Sequence, residues 1–196
     1  MNRKSFDKIA STIGLLLGLV LITAGFLLQW GGNFANGQVK EQLVAQKVTF
    51  PEAGTGSLKA LPDADRVAME KYAGQEMTTG DQAYTYANHY IAIHMQGIAD
   101  GKTYEEVSGE YMADNAALQA DPSNQTLAGK VAMEAGQRQA LFMGSTLRGL
   151  LGFTYAFATI AKIALIASYT LFISGALFLI LAFAGFAHLR KADETA

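Results

Sequence analysis

The chain has no cysteine, only three prolines, one tryptophan and three histidines among its 196 residues. Without cysteine it has no disulfide, no thiol nucleophile and no Cys-ligated zinc. The prolines are Pro51, Pro62 and Pro122, so nothing of that kind interrupts a helix from about Gln125 onward. Charge is missing from two long stretches. Ile9 to Trp30 is 22 residues without Asp, Glu, Lys, Arg or His, and Ile163 to Ala187 is a second such run. A helix crossing a bilayer needs roughly 20 apolar residues, so each run is long enough. The lack of a basic excess also excludes a nucleic-acid surface: residues 31–148 hold nine Lys/Arg against fourteen Asp/Glu.

What is present organises around those two runs. The expected fold class is mainly α, a two-helix transmembrane hairpin with a small helical extracytoplasmic domain between the spans. The expected divisions are a cytoplasmic tail 1–8, a first span 9–30, a helical domain 31–148, a helical lead-in 149–162, a second span 163–187 and a cytoplasmic tail 188–196. Arg3, Lys4, Lys8, Arg190 and Lys191 flank the runs at their outer ends, and such clusters prefer the cytoplasm. That places both termini inside, in a plasma membrane, with the lipid bilayer and other membrane subunits as the expected partners. The basic start resembles a signal peptide, but the apolar run exceeds an ordinary 7–15-residue core and no A-x-A site comes after it, so an uncleaved anchor is expected.

Within the middle region, Gly31, Gly32 and Gly37 are expected to loosen the chain after the first span. Val48-Thr49-Phe50-Pro51 reads as extended, because proline turns its predecessor away from helix. Residues 51–66, with Pro51, Gly54, Gly56 and Pro62, read as loop. Ala83, Ala87, Tyr90, Ile91, His94 and Ile98 recur at helical steps and predict one buried face. Asp100-Gly101 ends that helix, and Thr103-Tyr104-Glu105-Glu106 has the spacing of a capping box that starts the next. Asp121-Pro122-Ser123-Asn124 reads as a turn. From there one helix leads to the second run. Its outer half is expected to leave the membrane, tilt strongly or bend at Gly149 or Gly152, because 149–187 as one helix is nearly twice the thickness of a hydrocarbon core.

Few residues carry chemistry. Gly97-Ile98-Ala99-Asp100-Gly101-Lys102-Thr103 has one residue too few between its glycines for a phosphate-binding loop and lacks the preceding strand. No nucleotide is therefore expected. His89 and His94 stand five apart, about 140° round a helix, too far for one shared metal. His94 is expected to be a hydrogen-bonded, partly buried packing residue. Tyr84, Tyr86, Tyr90, Tyr104 and Tyr111 are expected to pack a small core with their hydroxyls at its edge. Asn124-Gln125-Thr126 has the form of a glycosylation sequon and is read as a helix N-cap. Lys162 is read as snorkelling to the headgroups. No catalytic residue, metal or cofactor is assigned. Gly14, Gly18 and Gly25 on the first run, and Ala164, Ser168, Gly175 and Ala182 on the second, are the small-residue stripes that let helices approach closely.

Gly74-Gln75, Thr78-Thr79-Gly80, Gln82-Ala83, Ala87, His94, Gly101-Lys102-Thr103-Tyr104 and Leu147-Arg148 together resemble a family of actinobacterial two-span membrane proteins of unknown function. His94, Gly101, Lys102, Thr103 and Tyr104 are its candidate motif residues here. Some relatives carry a label of aromatic ring-opening dioxygenase. That label implies an iron site, which two badly spaced histidines do not supply. The layout is similar to accessory subunits of respiratory supercomplexes. The expected function is accordingly a non-catalytic membrane protein whose domain serves interaction or assembly. The alternative is an extracytoplasmic sensor or binder of a small ligand, working with a membrane partner.

Overall fold

A computed structural model describes residues 3–194, and these are mainly helical, with no β-strand among them. Helix α1 spans Arg3–Ala45, α2 Gly56–Lys59, α3 Asp63–Glu70, α4 Gly80–Tyr86, α5 Ala92–Gln96, α6 Tyr104–Ala120 and α7 Gln125–Glu194. A π-helical turn, Ala87–Ile91, joins α4 to α5. The outermost residues of both expected tails lie outside the described residues. The chain divides into two compact units. One comprises the residues up to Gln38 together with those from Thr159 onward, and the other is Val39–Ala158.

The first unit is a pair of antiparallel helix segments. Its contacts run in opposite senses along the two segments. Gly14 faces Ala182, Gly18 faces Leu179 and Gly175, Gly25 faces Phe172, and Gly32 faces Leu165 and Ala161. The buried positions recur every seven residues: Ser11, Gly18, Gly25 and Gly32 on α1, and Ala161, Ser168, Gly175 and Ala182 on α7. A strict seven-residue repeat is the signature of helices coiling about each other, which holds one seam in contact. Every residue on this seam is Gly, Ala or Ser, so the backbones come close. Phe26 sets its ring edge-on to Phe172 at 4.9 Å and borders the seam.

Gly31, Gly32 and Gly37 do not loosen this helix, which continues unbroken to Ala45. Gly32 is the next member of the heptad after Gly25, and a side chain there would meet Leu165 at 2.8 Å. Gly31 and Gly37 face open space. A glycine inside an exposed helix weakens it by about 1 kcal/mol relative to alanine, which a long packed helix absorbs. For the same reason α7 passes Gly149 and Gly152 without a break.

The outward faces of this unit are large and apolar. Ile13, Leu16, Val20, Phe26, Leu27 and Trp30 are exposed, as are Ile163, Ile166, Ile173, Ile180 and Phe183. The most apolar 18-residue windows of α1 and α7 have mean hydropathies of 2.3 and 2.2, yet only 17% and 11% of those windows is buried. A core helix of a water-soluble protein shows the reverse pattern. Both helices are long and apolar enough to cross a membrane.

The second unit holds two apolar cores. Phe50, Leu58, Leu61, Met69, Met77 and Ala83 gather with Val39 and Leu43 in the larger one. Tyr72 and Tyr86 pack their rings on Phe50 at 5.4 and 5.3 Å. Thr49 pairs with Glu76 in a single antiparallel bridge, so the segment before Pro51 is extended as its sequence predicts. The expected loop at 51–66 is partly helical instead: α2 lies inside it and α3 begins at Asp63, immediately after Pro62. Proline suits that position because the first helical amides need no acceptor within the helix. The smaller core joins Ala99, Val107 and Leu141, with Met95, Ile98 and Tyr104 against it.

Candidate functional site

The polar residues of the second unit fall into three groups, each fixed by local chain geometry. The first is the start of α4. Thr79 accepts from the Gln82 amide, and Gln82 Oε1 accepts the amides of Thr78 at 2.8 Å and Thr79 at 3.0 Å. Gln82 is 5% exposed and also donates to Gln75 Oε1 at 3.2 Å. This is a capping box that sequence analysis missed, although Thr79-x-x-Gln82 has the spacing that would have identified it. Gly80, inside the box, lies against Ala158, and an added methyl would collide with the Ala158 side chain.

The second group surrounds the π turn. The turn holds an extra residue and offsets α5 from α-helical phase with α4; such turns are frequent at functional sites. His89 Nδ1 donates to Asp65 Oδ1 at 2.7 Å. Arg148 Nη2 donates to Asn88 Oδ1 at 3.2 Å, while Arg148 Nε is buried without an acceptor. His94 donates to the Tyr90 carbonyl at 2.8 Å and rests on the Tyr90 ring at 4.3 Å. It is exposed rather than partly buried. Ile93 beside it reaches the larger core, and Met95 and Ile98 reach the smaller one. The segment thus serves two cores on different faces, and the single stripe through His94 does not form. Among the described residues no three His, Asp or Glu side chains converge as a metal site.

The third group lies where α6 meets α7. α5 stops at Gln96, and Asp100 and Gly101 adopt φ of 52° and 83° in the turn that follows it, a left-handed conformation that favours glycine. Thr103 then caps α6, its hydroxyl accepting from Glu106 N and its amide donating to Glu106 Oε2 at 2.7 Å. The Thr103 amide, and after it the Thr103 hydroxyl donating to the same oxygen at 2.8 Å, lower the Glu106 pKa. Lys102 Nζ donates to both Glu110 oxygens at 2.8 Å, and that bond raises its pKa. The motif around 101–103 is therefore turn, cap and ion pair. Asn124 caps α7 in turn, accepting from Leu127 N at 3.0 Å.

Tyr104, the next residue of that motif, has a different environment. The Arg138 guanidinium first, and then the Ser108 hydroxyl, lie near its own hydroxyl and lower its pKa. The Arg138 guanidinium lies 5.0 Å from the centre of the Tyr111 ring and 6.0 Å from that of Tyr104. Phe142 stands 5.8 Å from the Tyr104 ring. Tyr104, Ala135, Arg138, Gln139 and Phe142 line a cleft of about 240 Å³.

Nearby on α7, Lys130 Nζ pairs with Asp114 Oδ2 at 2.6 Å and lies 3.6 Å from Glu134 Oε1. Glu134 is only 2% exposed. Burial first, then the hydrogen bond and charge of Asp114, raise its pKa, while the Lys130 bond lowers that of Asp114. Asp114 Oδ2 and Glu134 Oε2 are both buried with no hydrogen bond of good geometry, a need that a proton on Glu134 would meet. The tyrosines expected to share one core are thus divided: Tyr86 and Tyr90 at the larger core, Tyr104 and Tyr111 about Arg138, and Tyr84 outside against Tyr155 at 4.7 Å.

No family model, curated protein or solved structure matches this chain.

Proposed function

We propose that the chain is a non-catalytic integral membrane protein, an accessory or assembly subunit of a membrane complex. In this reading the first unit crosses the plasma membrane twice, and residues 39–158 form an extracytoplasmic interaction domain. We group it with the two-span proteins it resembles. The observation that carries the reading is the inverted pattern of the first unit. Gly18, Gly175 and Ser168 are buried between the helices, while Leu16, Val20, Ile173 and Ile180 face outward. Lipid is as apolar as leucine, so helices in a bilayer associate through close packing of small residues and leave their large residues to the chains. In water the same surface would drive aggregation.

Arg3, Lys4, Lys8, Arg190 and Lys191 support an orientation with both termini cytoplasmic. The paired and capped polar groups of the domain are occupied structurally, and that supports a role in contact rather than in turnover. The test is purification from the source membrane in mild detergent, with mass spectrometry and visible absorption of the eluate. Stoichiometric recovery with other membrane subunits is expected. Recovery of the chain alone, or its release from membranes by carbonate, would sink the proposal.

A further inference from the structure

Arg138 is a half-buried cation at the wall of a cleft. Residues 31–148 carry an excess of carboxylates, and the two Lys residues nearest it in the fold use them: Lys102 pairs with Glu110 and Lys130 with Asp114. Arg138 pairs with none among the described residues. Its neighbours are the rings of Tyr111 and Tyr104. Glu105 lies close enough to act on the Tyr104 hydroxyl but makes no ion pair with Arg138. Ring faces attract the cation without accepting its N–H groups in the way an oxygen does. A half-buried guanidinium therefore keeps donors in hand, at the wall of a cleft.

The cleft selects on three properties. The guanidinium is a planar fork that matches a carboxylate through two parallel hydrogen bonds. Tyr104 and Phe142, in contact with their ring centres 5.8 Å apart, together supply one aromatic surface for an apolar body to rest on. At about 240 Å³ the cleft is smaller than the roughly 300–1,000 Å³ usual for drug-sized ligands, so the occupant is small. The Gln139 amide at the rim adds a neutral donor and acceptor. Surrounding negative charge disfavours highly charged anions such as phosphate.

We propose that the cleft at Arg138 binds a small, flat organic carboxylate, its carboxylate on the Arg138 guanidinium and its apolar body against Tyr104 and Phe142. The site belongs to residues 104–142 and does not depend on the accessory role proposed above. Failure of either idea leaves the other standing.

The test is equilibrium dialysis of the full chain in detergent micelles with labelled benzoate, with micelles alone as blank. Saturable binding is expected in the millimolar range or below. R138M is expected to weaken it about tenfold or more, because a charged two-bond contact is lost. R138K, which keeps the charge but not the fork, should fall in between. F142A alters a side chain that is 56% exposed, so its fold is safe, and it should weaken benzoate while leaving acetate unchanged. Circular dichroism on each variant separates lost binding from lost fold. Three results would overturn the proposal: no saturable benzoate binding by the natural chain, undiminished binding by folded R138M, or equal competition by inorganic phosphate.

Discussion

Gly18 and Gly175 meet reciprocally. A methyl built on either would lie 3.1 Å from the carbonyl oxygen of the other. The backbones of α1 and α7 are thus in contact at this level, with no side chain between them. Placing isoleucine at Gly175 also drives its Cβ to 2.8 Å from Ile22 Cγ1. The Ile22 side chain can rotate away, whereas a backbone oxygen cannot. G175I should therefore separate the helices and destabilise their packing by roughly 1–3 kcal/mol. Gly31 and Gly37 face open space, so G31A and G37A should be neutral or stabilising by up to about 1 kcal/mol. Denaturant titration in micelles, read by Trp30 fluorescence, compares them. Equal effects at Gly175 and Gly37 would refute the seam.

Gly80 and Ala158 form a similar contact in the other unit. G80A should destabilise residues 39–158 by about 1–3 kcal/mol through overpacking. A158G removes the obstructing methyl, so the double variant G80A/A158G should recover most of the loss. Thermal unfolding by circular dichroism measures the cycle. Additive losses would mean that the two residues do not touch.

Gln82 is the better-connected half of its capping box. T79A removes one acceptor and should cost about 1 kcal/mol. Q82A leaves the partly exposed amides of Thr78 and Thr79 both without their acceptor, and should cost roughly 1–3 kcal/mol. If T79A proves the more damaging, the assignment of Gln82 as the main acceptor fails.

Glu134 and Asp114 respond to pH with opposite sign. The folded-state pKa of Glu134 is raised, so its protonated form is favoured by folding. That contribution is full below the unfolded pKa and is lost as pH rises through the folded one. For Asp114 the folded pKa is lowered, so its contribution is present above the unfolded value and disappears as pH falls through the folded value. E134Q keeps a neutral donor at every pH. It should remove the decline on the alkaline side of the carboxylate range and retain the acid-side loss. Unfolding free energy measured from pH 3 to 8, a span bracketing ordinary carboxylate pKa values of about 4, gives the two profiles. Parallel profiles for E134Q and the natural chain would exclude a proton shared between the two carboxyls.

Much of the local structure is legible because it depends on near neighbours. Thr103 and Glu106 satisfy amides within three residues, so their spacing alone announces the cap. Asp121 to Asn124 make a turn by the same short-range logic, with Ser123 Oγ on Asp121 Oδ1 at 2.7 Å. The apolar runs need only length and composition. Gly32 misleads because a glycine beside two others resembles a flexible joint. Only its contact with Leu165 and Ala161 shows it to be the next step of the heptad. His94 misleads because a single periodic stripe assumes one partner surface, and this segment has two.

That the chain is helical, that two of its helices are long and apolar, and where α6 and α7 begin can all be read from the order of residues. These are properties of periodicity, hydropathy and capping, which act over one turn or one run. The tertiary structure alone decided that α1 and α7 meet along Ser11, Gly18, Gly25 and Gly32, that Asp114 and Glu134 share Lys130, and that Arg138 stands beside Tyr104 without a carboxylate. Each of these depends on segments far apart in the chain. Which distant groups come within a few ångströms is set by how the helices pack, and no local spacing encodes it.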